Sequence, residues 1–146
     1  DEFHNGENSL VSDVCKEFKE LLINKDYEFI EDYIARYYKQ TACDVAEFNC
    51  LVLEYYALHK KDDEKVSDAF EYYHNGDFHH QVMPSIEVMD YLMRIGYSVD
   101  VATMLMFLKD EISNNKYSKY FGNSALLKEV EARLEPLKEE FPNLFK

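Results

Sequence analysis

The fold is decided by two stretches of similar pattern, DVAEFNCLVLEYY at residues 44–56 and SIEVMDYLMRIGY at residues 85–97. Apolar residues recur in both at helical intervals, which places them on one face of an α-helix. The corresponding positions are Val45 and Ile86, Phe48 and Met89, Leu51 and Leu92, and Tyr56 and Tyr97. A second helical pattern follows each stretch, in which Val66 and Phe70 correspond to Val101 and Leu105. The repeat is therefore a helix-turn-helix unit, which buries its apolar face against a neighbouring unit.

Periodicity along the rest of the chain predicts further helices, seven in all. They cover approximately residues 9–24, 27–40, 45–56, 63–73, 84–95, 101–108 and 124–141. Asp44, with Glu47 three residues later, has the pattern of an N-terminal capping box. Pro136 interrupts the last apolar pattern and is expected to kink or restart that helix. With only 4 Gly and 3 Pro residues, the chain lacks the turn residues of a β-rich fold.

These patterns predict an all-α protein, specifically a right-handed superhelix of antiparallel helical hairpins like the tetratricopeptide and pentatricopeptide solenoids. The length of 146 residues fits a single helical-repeat domain over residues 1–146. Residues 1–8 precede the first apolar stripe and are expected to be flexible.

The charge balance limits the classes of partner. The chain has 29 acidic and 16 basic residues, a net charge of −13, without a cluster of cations. Nucleic acids and anionic membranes bind through Lys and Arg, so neither is an expected partner. No apolar run approaches the roughly 18 residues that cross a bilayer, so no direct membrane span is expected. A basic protein partner is compatible with this charge.

The residues do not predict catalysis. His74, His79 and His80 lie close together around Asp77 in the loop expected at 74–82, but their spacing fits no known metal site. The chain contains no recognisable nucleophile, phosphate-binding or calcium-binding motif. We therefore expect a protein that is not an enzyme by itself and has no cofactor, no metal and no small-molecule substrate.

Cysteines and tyrosines are the other unusual residues. The three cysteines, Cys15, Cys43 and Cys50, form no CxxC pair and are expected to be reduced and partly buried. Most of the 12 tyrosines are expected at the edge of the helical core. The docking surfaces are predicted at 37–56 and 84–112. The candidate interface residues are Tyr37, Tyr38, Tyr55, Tyr56, Arg94 and Tyr97.

The stretch VMPSIEVMDYLMRIGYSVDVATMLMFLKDEI, residues 82–112, resembles subunit Va of cytochrome c oxidase, called subunit VI in fungi. That family has a helix after a Val-Pro segment, an Arg near its end, a short turn and a second helix ending in a Lys-rich run. Pro84, Arg94, Asp100 and Lys109 stand at the matching places.

The resemblance continues on both sides, over about residues 27–141, and is interrupted. Upstream, residues 33–56 resemble the first two helices of the family; downstream, EARLEPLKEEF contains Pro136 and Leu137 near the expected positions. The chain departs from the family in an insertion at 59–81, an added N-terminal helix, and the absence of the basic pair that follows the family's Arg.

The resemblance implies a nuclear-encoded, non-catalytic subunit of mitochondrial respiratory complex IV. Such a subunit is peripheral on the matrix side of the inner membrane, carries no haem or copper, and contacts other subunits of the complex. Its role would be structural, in assembly, or regulatory. The insertion at 59–81 is then expected to reach a lineage-specific neighbour.

Two alternatives follow from the helical repeat itself. A tetratricopeptide-like adaptor would bind a peptide in its concave groove, which suits the tyrosine content. A pentatricopeptide-type RNA-binding protein would read bases with Asn49 and Asp90, but two repeats and a net charge of −13 disfavour it.

Overall fold

The computed structural model describes the backbone of residues 2–76 and 82–145, and the side chains of these residues from Leu10 onward. Helices are the only regular secondary structure in these ranges, which confirms the all-α prediction. The α-helices are α1 (Glu2–Asn24), α2 (Tyr27–Tyr37), α3 (Ala46–Glu54), α4 (Asp63–Asn75), α5 (Ile86–Arg94), α6 (Ser98–Asn114) and α7 (Ser124–Glu140). Short 3-10 helices lie at Thr41–Cys43 and Pro142–Phe145, and a π-helix lies at Tyr55–Lys60.

The chain forms two compact units, residues 1–88 and 89–146, here called unit 1 and unit 2. The single domain and the superhelix of hairpins stay predictions. None of the described helices is long and apolar enough to cross a membrane.

Unit 1 has a core rich in aromatic residues. Helix α1 packs on α2 and α3, and α3 packs on α4. Phe18 of α1 meets Phe48 of α3 edge to face, with ring centroids 5.4 Å apart, a favourable arrangement for two buried rings. The fully buried large side chains of this unit are Phe18, Ile30, Phe48, Val52, Leu53, Tyr55, Phe70 and Tyr73.

Unit 2 is built on the packing of α6 against α7. Val101, Leu105 and Leu108 of α6 are buried, as are Val130 and Leu134 of α7. Gly96 joins α5 to α6 with a φ of +110°, a conformation that favours glycine, and the Tyr97 N–H donates to Leu92 O at 2.9 Å. The predicted helix end at Gly96 is therefore confirmed.

Several helix boundaries differ from the sequence prediction; α2, for example, ends at Tyr37, and α6 extends from Ser98 to Asn114. Helix α1 begins at Glu2, so residues 2–8 are helical, while the expected flexibility of residues 1–8 stays a prediction. Pro136 lies inside α7, which is continuous from Ser124 to Glu140, so the helix does not restart there, while the expected kink stays a prediction. Buried Leu134 and Leu137 flank this proline, so packing on both sides supports the helix although Pro136 cannot donate a backbone hydrogen bond.

The predicted capping box at Asp44 is also wrong. The residue at the N-cap of α3 is Val45, and no side chain caps this helix. Helix α4 does have a side-chain cap, because Asp62 accepts a hydrogen bond from the Lys65 N–H at 3.2 Å. The Asp44 carboxylate is instead used in a polar cluster described below.

Candidate protein-binding surfaces

Helix α2 presents aromatic side chains along the edge of its buried face. Ile30 and Ile34 are buried in unit 1. Phe29, Tyr33 and Tyr37, here called the aromatic ridge, follow each other at four-residue spacing and are exposed or half-buried. The rings of Tyr33 and Tyr37 lie 5.3 Å apart. Tyr37, a predicted interface residue, is therefore placed on an accessible surface.

An open groove of about 410 Å³ lies between α1 and α2. Its lining residues are Glu17, Glu20, Leu21, Asn24, Asp26, Phe29 and Tyr33. The apolar part consists of Leu21 and two members of the aromatic ridge, and 53% of the Phe29 side chain is exposed. We call this groove the α1–α2 groove.

A second groove of about 480 Å³ lies on another face of α1. Its lining residues are Lys19, Leu22, Ile23, Leu51, Glu54 and His59. Ile23, which lines this groove, is 79% exposed. Burial raises the pKa of the Glu54 carboxyl above its ordinary value of 4.5, and nearby His59 partly offsets this effect.

The π-helix holds a buried tyrosine against a carboxylate. The Tyr55 hydroxyl donates to Glu31 Oε2 at 2.6 Å, the length of a charge-assisted hydrogen bond. Tyr27 Oη and His59 Nδ1 lie 3.3 Å apart beside it. Burial, and then the bond to Glu31, raise the pKa of Tyr55 well above its usual range. π-Helical turns occur frequently at functional sites, which makes this segment a candidate for one.

Tyr55 and Tyr56, both predicted interface residues, lie in the core. Tyr55 is fully buried and Tyr56 is almost so, and their rings are 5.2 Å apart. Their side chains therefore build unit 1 from within, and any contact they make with another protein would have to be indirect.

Replacing Tyr55 with Phe is expected to lower the free energy of unfolding by about 1–2 kcal/mol. The change removes one short hydrogen bond and leaves the ring packing intact, while Glu31 is exposed and regains water. Urea unfolding followed by circular dichroism measures the loss. Tyr27→Phe is the matched control and should cost less, because its contact with His59 is longer. Equal stability of Tyr55→Phe and the wild type would contradict the assigned bond.

A second polar cluster is built around Asp44. Its Oδ1 accepts from Tyr72 Oη at 2.8 Å and from Asn49 Nδ2 at 3.2 Å. Burial, and then the bond to Asp44, raise the pKa of Tyr72 to about 12. Tyr38 packs edge to face on Tyr72, and the Lys39 ammonium lies 4.6 Å from the Tyr72 ring centroid. Tyr38 is thus half-buried within this cluster, with only part of its side chain available to a partner.

In unit 2, Arg94 and Tyr97 lie at the turn between α5 and α6. Arg94 is exposed, and its guanidinium carbon lies 4.4 Å from the centroid of the Tyr91 ring. Tyr97 is half-buried at the N-terminal end of α6. The six candidate residues therefore divide into four in unit 1 and two in unit 2.

The two residues considered as base readers are both engaged. Asn49 is only 2% exposed and donates to Asp44. Asp90 accepts two hydrogen bonds from Arg133, at 2.7 and 2.9 Å, in the bidentate geometry of an Arg–carboxylate pair. Neither side chain presents a free edge to a nucleotide base.

The described residues contain no group of three or more His, Cys, Asp or Glu side chains able to hold a metal ion. The histidine cluster considered in the loop at 74–82 lies mostly outside the described residues, which include His74 but not Asp77, His79 or His80. Cys15, Cys43 and Cys50 are buried, and none of the three is in a disulfide.

No protein-family model, no curated protein and no solved structure matches this chain. In the part of the chain that the structure describes, the fold and these surfaces define an all-α protein with open grooves on unit 1.

Proposed function

We propose that this chain is a non-catalytic, protein-binding subunit of a larger complex. The supporting observation is the exposure of Ile23 and Phe29, 79% and 53% respectively, each lining a groove on unit 1. The helical spacing of the lining residues puts the grooves on different faces of α1. Exposed apolar side chains beside polar-rimmed grooves are typical of protein interaction sites.

The more specific proposal is an accessory subunit of mitochondrial respiratory complex IV, peripheral on the matrix side of the inner membrane. It is supported by the resemblance of residues 82–112 to subunit Va of cytochrome c oxidase. Helix α5 ends at Arg94, and α6 begins at Ser98 after a three-residue link, which is the helix-turn-helix that the resemblance requires. The partners would be other subunits of the complex.

Blue-native electrophoresis of digitonin-solubilised mitochondria tests this assignment. The chain, detected with an antibody, is expected to co-migrate with a band that has oxidase activity in the gel. Depletion of the chain is expected to reduce that band, while complex III activity serves as the control. A small species separate from the oxidase band, with oxidase unchanged on depletion, would contradict the assignment.

The same grooves also fit a tetratricopeptide-like adaptor, the alternative function. An adaptor would be recovered from cells as a small species with a peptide-bearing client. The size of the native species therefore distinguishes the two functions.

A further inference from the structure

We propose that the α1–α2 groove binds a basic amphipathic helix of a partner protein. This inference rests on the proposed protein-binding function and names the kind of partner. It concerns a surface made in part by α1, which lies outside the residues that resemble the oxidase subunit.

The apolar part of the groove fits the apolar face of a helix. Leu21 of α1 faces Phe29 and Tyr33 of α2, and the latter two are one helical turn apart. A partner helix laid in a groove offers anchors at i, i+3 or i+4, and i+7, with similar spacing. A volume of about 410 Å³ accommodates a small number of such side chains, so the groove suits a short helical segment.

The charges along the groove specify a basic partner. Glu17, Glu20 and Asp26 all line it, and none of the described lining residues is Lys or Arg. These three carboxylates form no ion pair with the described cations, whereas Glu47 of α3 is paired with Lys19 of α1 at 2.7 Å. Lys or Arg residues flanking the apolar face of the partner would meet these carboxylates. The overall charge of −13 would also speed the encounter.

A direct binding measurement tests the proposal with a labelled helical peptide of Lys and Leu, about 18 residues long and amphipathic. Fluorescence anisotropy is expected to show binding that weakens as salt rises. A Glu/Leu peptide of the same pattern is expected not to bind. A scrambled Lys/Leu peptide without an apolar face should bind at least about tenfold more weakly, because it lacks the hydrophobic anchors.

Matched variants then locate the site. The double change E17K/E20K should weaken binding about tenfold, because two attractions become repulsions. E139K/E140K changes the net charge equally on exposed positions of α7 and should change affinity less than about twofold. Phe29→Ala should weaken binding about tenfold through the lost anchor. Circular dichroism of each variant checks that folding is retained.

The outcomes separate the groove from the proposed function. Equal weakening by both double changes, or no binding of the amphipathic peptide, would overturn the groove as the site. If E17K/E20K weakens peptide binding about tenfold, E139K/E140K does not, and the chain co-migrates with the oxidase, both the groove and the subunit assignment stand. Peptide binding at the groove by a chain that never co-migrates with the oxidase would overturn only the subunit assignment.

Discussion

Replacing Leu92 with Asp is expected to abolish cooperative folding of the region around α5. The Leu92 side chain is fully buried, so the new carboxylate would lie in the interior without a partner. An unpaired buried charge costs several kcal/mol, a large part of the roughly 5–15 kcal/mol that stabilises a typical domain. Far-UV circular dichroism and a thermal melt should show a loss of helicity and of the sharp transition.

Two further substitutions to Asp, at an exposed position and at the edge of a groove, show whether the loss of stability follows the degree of burial. Val99 is 45% exposed in the first turn of α6, where a carboxylate is favourable, so Val99→Asp should melt like the wild type. Leu51→Asp should be less harmful than Leu92→Asp, because Leu51 lines the second groove and its replacement can reach water. A Leu92→Asp variant with the wild-type helicity and melting temperature would contradict the placement of the core.

The helical repeat could be read from the sequence because its signal is strong and local. Phe48, Leu51, Met89 and Leu92 were predicted to face the interior by their spacing, and all four are buried. The turn at Gly96 was also predictable, since a helix ending in a left-handed residue favours glycine. Local signals of this kind depend on few neighbours, so a single sequence suffices.

Features that depend on tertiary contacts were missed. The π-helix at Tyr55–Lys60 has no sequence signature, since one extra residue in a turn leaves the apolar pattern readable as an α-helix. Asp44 has the pattern of a cap, but the hydroxyl of Tyr72, distant in sequence, competes for its carboxylate. Local propensity cannot show such a competition.

The candidate site was predicted only in part for the same reason. Periodicity placed Phe29, Tyr33 and Tyr37 on the same side of a helix as Ile30 and Ile34, yet only the isoleucines are buried. The aliphatic positions 30 and 34 and the aromatic positions 29, 33 and 37 each follow four-residue spacing, so each set forms its own row along the helix. The α1–α2 groove is lined by residues of two helices, so its position depends on how α1 packs against α2. The apolar pattern of one helix does not contain that information.

Raising the pH above about 9 is expected to destabilise unit 1. The pKa of the Cys15 thiol is raised from 9.0 to about 12, chiefly by burial and then by Glu47. Burial is also the main cause of the raised pKa values of Tyr38, Tyr55, Tyr56 and Tyr72. Each of these groups is held neutral in the folded state, so its full contribution to stability is present below its ordinary pKa. Above that pH the unfolded chain ionises first, and stability is lost.

The loss should begin near pH 9 with Cys15 and steepen above pH 10 as the phenols of the unfolded chain ionise. At pH 11 the thiol alone would remove about 3 kcal/mol, at roughly 1.4 kcal/mol for each pH step above its ordinary pKa. Urea unfolding from pH 7 to about pH 11.5 gives the profile.

A matched pair of tyrosine substitutions identifies the groups responsible. Tyr56→Phe should make the decline above pH 10 shallower, because phenylalanine cannot ionise in the unfolded chain. Tyr117→Phe is the matched control, because it removes the same hydroxyl from a side chain that is 99% exposed. Since the two variants lose the same hydroxyl, a difference between their profiles measures the effect of the Tyr56 environment, which is chiefly burial and then the charges of Glu31 and Asp62. A wild-type free energy of unfolding that stays level up to pH 11 would mean that water or a cation reaches these groups, and that the interior of unit 1 is more open than its packing indicates.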